Sequence, residues 1–125
     1  MAEIIMRSAD GEENRRQGAR AERLAERHLK SLGYRLLGRN LHIGGSEIDL
    51  LMRDGKTRAL VVIEVKSSRI GEHHARAALN AVKRRRIARA VRGLQRLGLA
   101  GSSNVRVEAI LVDLSRDRIA IRHLA

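Results

Sequence analysis

Glu64 and Lys66 stand two positions apart in the stretch ALVVIEVKSSR (59–69), just after an unbroken apolar run from Ala59 to Ile63. Alternation along a strand puts Val62, Glu64 and Lys66 on one face and Val61, Ile63 and Val65 on the other. A strand apolar on both faces is normally covered on both sides. Ionised groups there cost on the order of several kcal/mol each unless they are partnered. Three readings follow: the two charges neutralise each other, the strand emerges into water by residue 64, or they belong to a site. Asp49, in SEIDLLMR (46–53), adds weight to the last. A two-residue Asp54-Gly55 hairpin turn places residue 49 near residue 60, a few residues from Glu64 and on its face. Two close carboxylates repel unless a cation lies between them. Oxygen donors without Cys or a His cluster favour a hard ion, Mg²⁺ or Mn²⁺, which needs only one or two carboxylates. Such an ion polarises a phosphodiester and lowers the pKa of water, and the ammonium of Lys66 orients or deprotonates that water or stabilises developing charge.

The elements that must position these groups are legible as periods. Ala21, Leu24, Ala25, His28, Leu29 and Leu32 recur at helical steps from Asn14 onward, and Gly33 ends that helix. YRLLGRNLHI (34–43) reads as a strand that breaks or bulges near Gly38, and Gly44-Gly45 as a turn. In the next strand Ile48 and Leu50 fall on one face, Glu47, Asp49 and Leu51 on the other. A second helix spans roughly 72–96, with Ala75, Ala78, Leu79, Val82, Ala90, Val91, Leu94 and Leu97 as its apolar stripe. Strands follow at 105–114 and 117–124, the last a short edge strand. The expected fold is a single α/β domain with a mixed sheet flanked by helices, in the order α-β-β-β-α-β-β. Residues 1–12 are expected to form a flexible leader and 13–125 the domain.

The bulk numbers restrict the class of function. The chain has 125 residues, no Cys and a single aromatic residue, Tyr34, so its core is aliphatic and holds no disulfide or thiolate metal site. No apolar run reaches membrane-span length, and MAEIIMRSADGEEN is too short and acidic for a signal peptide, which together suit the cytoplasm and no membrane partner. A net charge of +12 and a pI near 11.6 point to a polyanionic partner.

EIDLL, fourteen intervening residues after Asp49, and then EVK resemble the D-x(n)-E-x-K core of the PD-(D/E)XK nucleases. More specifically, the chain resembles the YraN family of bacterial endonuclease-like proteins over nearly all residues after about 15. GARAERLAERHLKSLGYRLLGRN (18–40), GSEIDLLMRDGKTRALVVIEVKSS (45–68), KRRRIARA (83–90) and VRVEAILVD (105–113) carry the likeness. The resemblance implies a restriction-endonuclease-like core and Mg²⁺-dependent cleavage of DNA, with branched DNA raised by fold-level analogy to junction resolvases. It further implies that Asp49 and Glu64 hold the metal, with the Val65 carbonyl as a further ligand. Lys66 would be the catalytic lysine, and Glu22 a helix-borne glutamate facing the same site. The alternative for Glu22 is a rim glutamate paired with neighbouring arginines. Departures from the family pattern are Ser46 where Gly is usual, His28 where Tyr is common, and Val107-Glu108 where RFD is typical.

Arg85, Arg89, Arg92 and Arg96 recur on one helical face, and Lys83, Arg84 and Arg86 thicken its beginning; no acid lies among these seven residues. With Arg15, Arg16 and Arg20 they form a candidate phosphate track; the alternative is a solvated helix face. Lack of Phe and Trp argues against stacking on single strands and for duplex or branched DNA held by its backbone. His73-His74 are adjacent and awkward for joint chelation, and His42 and His123 are isolated in sequence and read as structural or exposed. The functional expectation is a metal-dependent endonuclease. A non-catalytic DNA- or RNA-binding module and a basic protein-interaction module are the competing readings, and a homodimer is compatible with the sequence but not derivable from it.

Overall fold

In the computed structural model, residues 2–68, 81–98, 105–115 and 119–124 are described. The elements are α1 (Ala2–Ser31), β1 (Tyr34–Ile43), β2 (Ser46–Asp54), β3 (Leu60–Ser68), α2 (Ala81–Arg96), β4 (Val105–Asp113) and β5 (Ala120–Leu124). The five strands form one sheet in the order β1-β2-β3-β4-β5. All neighbours are antiparallel except β3 and β4. A parallel pair needs a crossover, and the segment holding α2 supplies it. This is the α/β domain with a mixed sheet and the α-β-β-β-α-β-β order expected above.

Two aliphatic layers hold the sheet. Ala21, Ala25 and Leu29, at four-residue steps on α1, pack on Leu50, Met52, Val61, Ile63, Val65, Ile110 and Val112. On the other face Ala90 and Leu94 of α2 pack on Ile48, Leu51, Leu60 and Val62. β3 therefore alternates between two covered layers, which accounts for its apolar run. α1 begins well before Asn14, where the apolar period starts, and Gly33, at φ +94°, closes it. Leu97, expected in the α2 stripe, is 66% exposed, because the helix ends at Arg96. The expected start of that helix, with Ala75, Ala78, Leu79 and His73-His74, lies outside the described residues.

The β2–β3 connection is longer than a two-residue turn. Its last pairing is Arg53 with Leu60, and Asp54 N–H donates to the Ala59 carbonyl at 3.0 Å. The Asp54 carboxylate explains the difference: it accepts the Lys56 N–H at 2.8 Å and the Thr57 N–H at 3.4 Å, while Arg58 takes a left-handed φ of 62°. The register moves by four residues from the expected one. Leu50 pairs with Ile63, so Asp49 stands opposite Glu64 rather than near Leu60.

β1 and β2 also depart from simple alternation. The bulge near Gly38 is present, as a register shift between Leu36 and Gly38. A second irregularity lies at Asn40, whose φ is 50°. Leu50 packs in the α1 layer and Ile48 in the α2 layer, although they are two residues apart. On β1, a Cβ at Gly38 would come within 2.9 Å of the Leu41 side chain, so these two positions, three apart, face the same side. Both strands thus change face at the rung of Asn40 and Asp49. Asn is among the few residues that adopt the left-handed conformation readily.

At the far end of the sheet a polar network replaces apolar packing. Buried Glu108 accepts from Tyr34 O–H at 2.9 Å and Arg106 Nε at 3.2 Å, and meets His123 Nε2 at 2.8 Å. Arg106 reaches on to Asp54 at 2.7 Å, which holds that carboxyl down at about 2. His123 thus has the structural role expected of it.

The turn between β1 and β2 touches α2 through backbone. Gly44, at φ +61°, would carry a Cβ 3.0 Å from the Arg89 carbonyl oxygen. Gly44→Val should lower the unfolding free energy in urea by about 2 kcal/mol, from the left-handed conformation together with the contact. An unchanged urea midpoint would show that this turn does not seat α2.

Candidate functional site

Asp49 and Glu64 face one another where the β2–β3 ladder stops. Beyond the Leu50–Ile63 pair, Val65 N–H donates to Asp49 Oδ2 at 2.8 Å, so a side chain takes the place of a strand partner. The N–H and C=O of one strand residue project toward the same neighbour, so the Val65 carbonyl opens into the same gap. Lys66 lies two residues along β3 with its Nζ 3.4 Å from Glu64 Oε1. Glu64 is buried and Lys66 is 24% exposed, so the ammonium lies at the mouth and the carboxylate beneath it.

Burial, first, and then the facing Glu64 carboxylate push the Asp49 carboxyl up to about 7. The Val65 N–H opposes that rise. The Asp49 carboxyl therefore keeps its proton much closer to neutral pH than an ordinary aspartate does. Glu22 comes to the same place from α1. Burial, then Glu47 and Glu64, raise its pKa, and the Asn40 amide facing its carboxylate opposes the rise. Gln17, one and a half turns earlier on α1, donates to Ser67 Oγ at 3.1 Å and ties the helix to the end of β3.

The structure thus brings together Asp49, Glu64, Val65 and Lys66, and places Glu22 within electrostatic reach of both carboxylates. The groups that shift the Glu22 pKa are the carboxylates of Glu47 and Glu64 and the Asn40 amide. Among the described residues no three His, Cys, Asp or Glu side chains form a ready-made metal cluster. The donor set that fits a hard ion is two carboxylates and the strand backbone, with water completing the shell. The facing carboxyls of half-buried Asp49 and buried Glu64 are a fitting pair, because a divalent cation between them would relieve their repulsion.

Asn40 is the member that the residue pattern missed. It belongs to a strand paired with β2, and only the left-handed turn at its own position aims the amide at Glu22. The available signal was its type, since Asn is depleted in strand interiors. On α2, Arg85, Arg89, Arg92 and Arg96 are all exposed and lie away from buried Ala90 and Leu94. They carry no ion pair among the described residues. The side chains of Lys83, Arg84 and Arg86 lie outside the described residues. No helix among the described residues is long and apolar enough to cross a membrane.

The fold and the site define an α/β domain with a carboxylate pair and an ammonium at a central strand junction. The chain belongs to the uncharacterised protein family UPF0102, whose profile matches residues 21–112. Similar proteins of that family include one from Geobacter sulfurreducens, 37% identical over 114 residues, covering 89% of this chain and 87% of the relative. Another, from Chromohalobacter salexigens, is 43% identical over 95 residues, 74% of this chain and 76% of its own. A third, from Methylobacterium radiotolerans, is 39% identical over 108 residues, 82% of this chain and 81% of its own.

The raised Asp49 pKa has a defined consequence for stability. Between pH 3.8 and about 7 the unfolded chain has released the Asp49 proton and the folded chain still holds it. The stabilising contribution is full below that window and is lost as pH rises through it. With divalent cations chelated, the difference in unfolding free energy between wild type and Asp49→Asn should therefore change progressively from pH 4 to pH 7, with wild type losing ground. A constant difference across that range would mean that Asp49 titrates normally.

Proposed function

We propose that this protein is a metal-dependent deoxyribonuclease that hydrolyses phosphodiester bonds in duplex or branched DNA, acting in the cytoplasm. The observation that carries the proposal is the facing of Asp49 and Glu64 with Lys66 Nζ 3.4 Å from Glu64, on a chain of net charge +12. Asp49, Glu64 and the Val65 carbonyl would hold Mg²⁺ or Mn²⁺. When bound, such an ion polarises the phosphate and makes water a better nucleophile. The remaining work falls to the chain's own groups. Asp49 would hold the cation in its deprotonated form, its proton passing to solvent. Lys66, half out of the site, donates to the phosphate oxygens or orients the attacking water, and its positive charge favours the extra negative charge of the transition state. Glu22, held against the Asn40 amide, is placed to accept a proton at the rim. Arg85, Arg89, Arg92 and Arg96, with Lys83, Arg84 and Arg86, would bind the backbone phosphates, positioning DNA without reading its bases.

A second reading has one observation in its favour. Lys66 already neutralises Glu64, so the pair could serve as a structural ion pair in a DNA- or RNA-binding module that does not cut. Incubation of purified protein with linear, nicked and four-way-junction DNA, with and without Mg²⁺ or Mn²⁺, separates the two. Wild type should cleave at least one substrate only with metal. Asp49→Ala and Glu64→Ala should be inactive, and Lys66→Ala should be slower by about 10²- to 10⁴-fold. If wild type cleaves no substrate above the Glu64→Ala background, the enzyme reading fails. Salt-dependent binding that survives both carboxylate substitutions would then leave the binding module.

A further inference from the structure

A second basic surface lies beside the carboxylate site, on elements the α2 stripe does not include. α1 and β1 enclose a groove of about 540 Å³ lined by Arg23, Glu26, Arg27, Lys30 and Arg39. Four cations thus surround one carboxylate. Glu26 fixes two of them. It accepts Arg39 Nε at 2.5 Å and Arg39 Nη2 at 3.0 Å, and Lys30 Nζ at 2.9 Å. These bonds hold the Glu26 carboxyl down at about 2, so it stays ionised and keeps both cationic heads on the groove wall. Arg23 and Arg27 are exposed and carry no ion pair among the described residues. Two ordered cations and two unpaired guanidiniums make a cavity suited to phosphate oxygens, which guanidiniums bind with two donors each. It offers little to an apolar ligand.

The groove lies next to the candidate site along the chain, through Arg39 beside Asn40 and Glu26 one turn from Glu22. Arg39 precedes Asn40, whose amide faces Glu22. Glu22 and Glu26 are one turn apart on α1, about 6 Å along the helix axis, and Lys30 is about 12 Å from Glu22. Phosphates of one strand advance about 3.4 Å along a duplex axis per nucleotide. A strand with one phosphate at the carboxylate site would therefore have neighbouring phosphates within reach of this groove.

Resting on the function proposed above, we propose that the α1–β1 groove seats the phosphodiester backbone of the strand that enters the Asp49–Glu64 site, with Arg23 and Arg27 as its free phosphate ligands. The contiguity with the site favours nucleic acid over an acidic protein as the occupant.

The test is binding, in chelator, of fluorescently labelled duplex and four-way-junction DNA to the full chain across a salt series. It compares wild type with Arg23→Gln/Arg27→Gln and Arg23→Lys/Arg27→Lys. The Gln pair should weaken binding by roughly tenfold or more at moderate salt, and make the log–log salt slope shallower by about 2. The Lys pair should keep the wild-type slope, since it keeps the charge. If the Gln pair lowers the melting temperature, the Arg27→Gln single variant carries the same test with about half the slope change. Wild-type affinity and slope in the Gln variants overturn the groove alone and leave the cleavage reading standing. Absence of DNA binding by wild type overturns both. Tighter binding of polyglutamate than of DNA, lost in the Gln pair, overturns it in favour of an acidic protein partner. Because no metal is present, failure of the cleavage reading does not affect the outcome.

Discussion

The hydrogen bond from Val65 N–H to the Asp49 carboxylate, at 2.8 Å, decides where β2 and β3 stop being a sheet and start being a site. Up to Leu50 and Ile63 the strands satisfy each other through backbone. One rung further, the backbone donor of β3 turns to a side chain. A buried N–H must find an acceptor, and supplying it from Asp49 fixes that carboxylate beside Glu64. The same bond therefore satisfies the strand end and forces two acids together. Their mutual repulsion is relieved by the raised pKa of Asp49 and by Lys66 rather than by distance. Everything else in the fold bears on holding this arrangement still.

The apolar run of β3 is one such support. Val61 and Ile63 lie under α1, and Leu60 and Val62 under α2, all at 1% exposure or less. Clamped from both sides, the strand cannot slide to separate the carboxylates. A second support acts from the opposite end of the sheet. Glu108 collects Tyr34 from β1, Arg106 from β4 and His123 from β5, and Arg106 carries the link to Asp54 at the end of β2. Four strands are tied there by side chains, and the loop from Asp54 to Ala59 that fixes the β2–β3 register starts from that knot. The register that puts Asp49 against Glu64 is thus determined at the far end of the hairpin, by the Asp54 carboxylate gathering the Lys56 and Thr57 amides.

The element order, the two helices and the candidate trio were legible because each rests on a local period or on spacing within one strand. Glu64 and Lys66 needed only alternation, and the α1 stripe of Ala21, Ala25 and Leu29 only a four-residue repeat. The pairing of Asp49 was approximate because it depends on the length of a loop. DG suggested a tight turn, and the Asp side chain instead built a wider one, with Arg58 taking a left-handed conformation that its residue type does not announce. Asn40 was invisible for a related reason. A single left-handed residue turns β1 and, through it, β2, so Ile48 and Leu50 part to different layers against the expected alternation. Nothing in the period of either strand records that turn. The basic groove was likewise hidden: Arg39 comes from β1, and only the packing of α1 on that strand brings it to Arg23 and Arg27.

The charges of the site and of the surface would work against each other if each were read alone. A polyanion would be drawn to a chain of net +12, yet Asp49 faces Glu64, and Glu22 and Glu47 lie within electrostatic reach of that site. The raised pKa of Asp49, about 7, and the ion pair of Lys66 with Glu64 both reduce the negative charge of the site when no cation is bound. On the proposed reading, a cation held by Asp49 and Glu64 would add positive charge there and strengthen the attraction for phosphate, so docking would depend chiefly on the arginine surfaces and loading on the carboxylate pair. The two steps meet at Glu22 and Asn40, where α1 and β1 carry both.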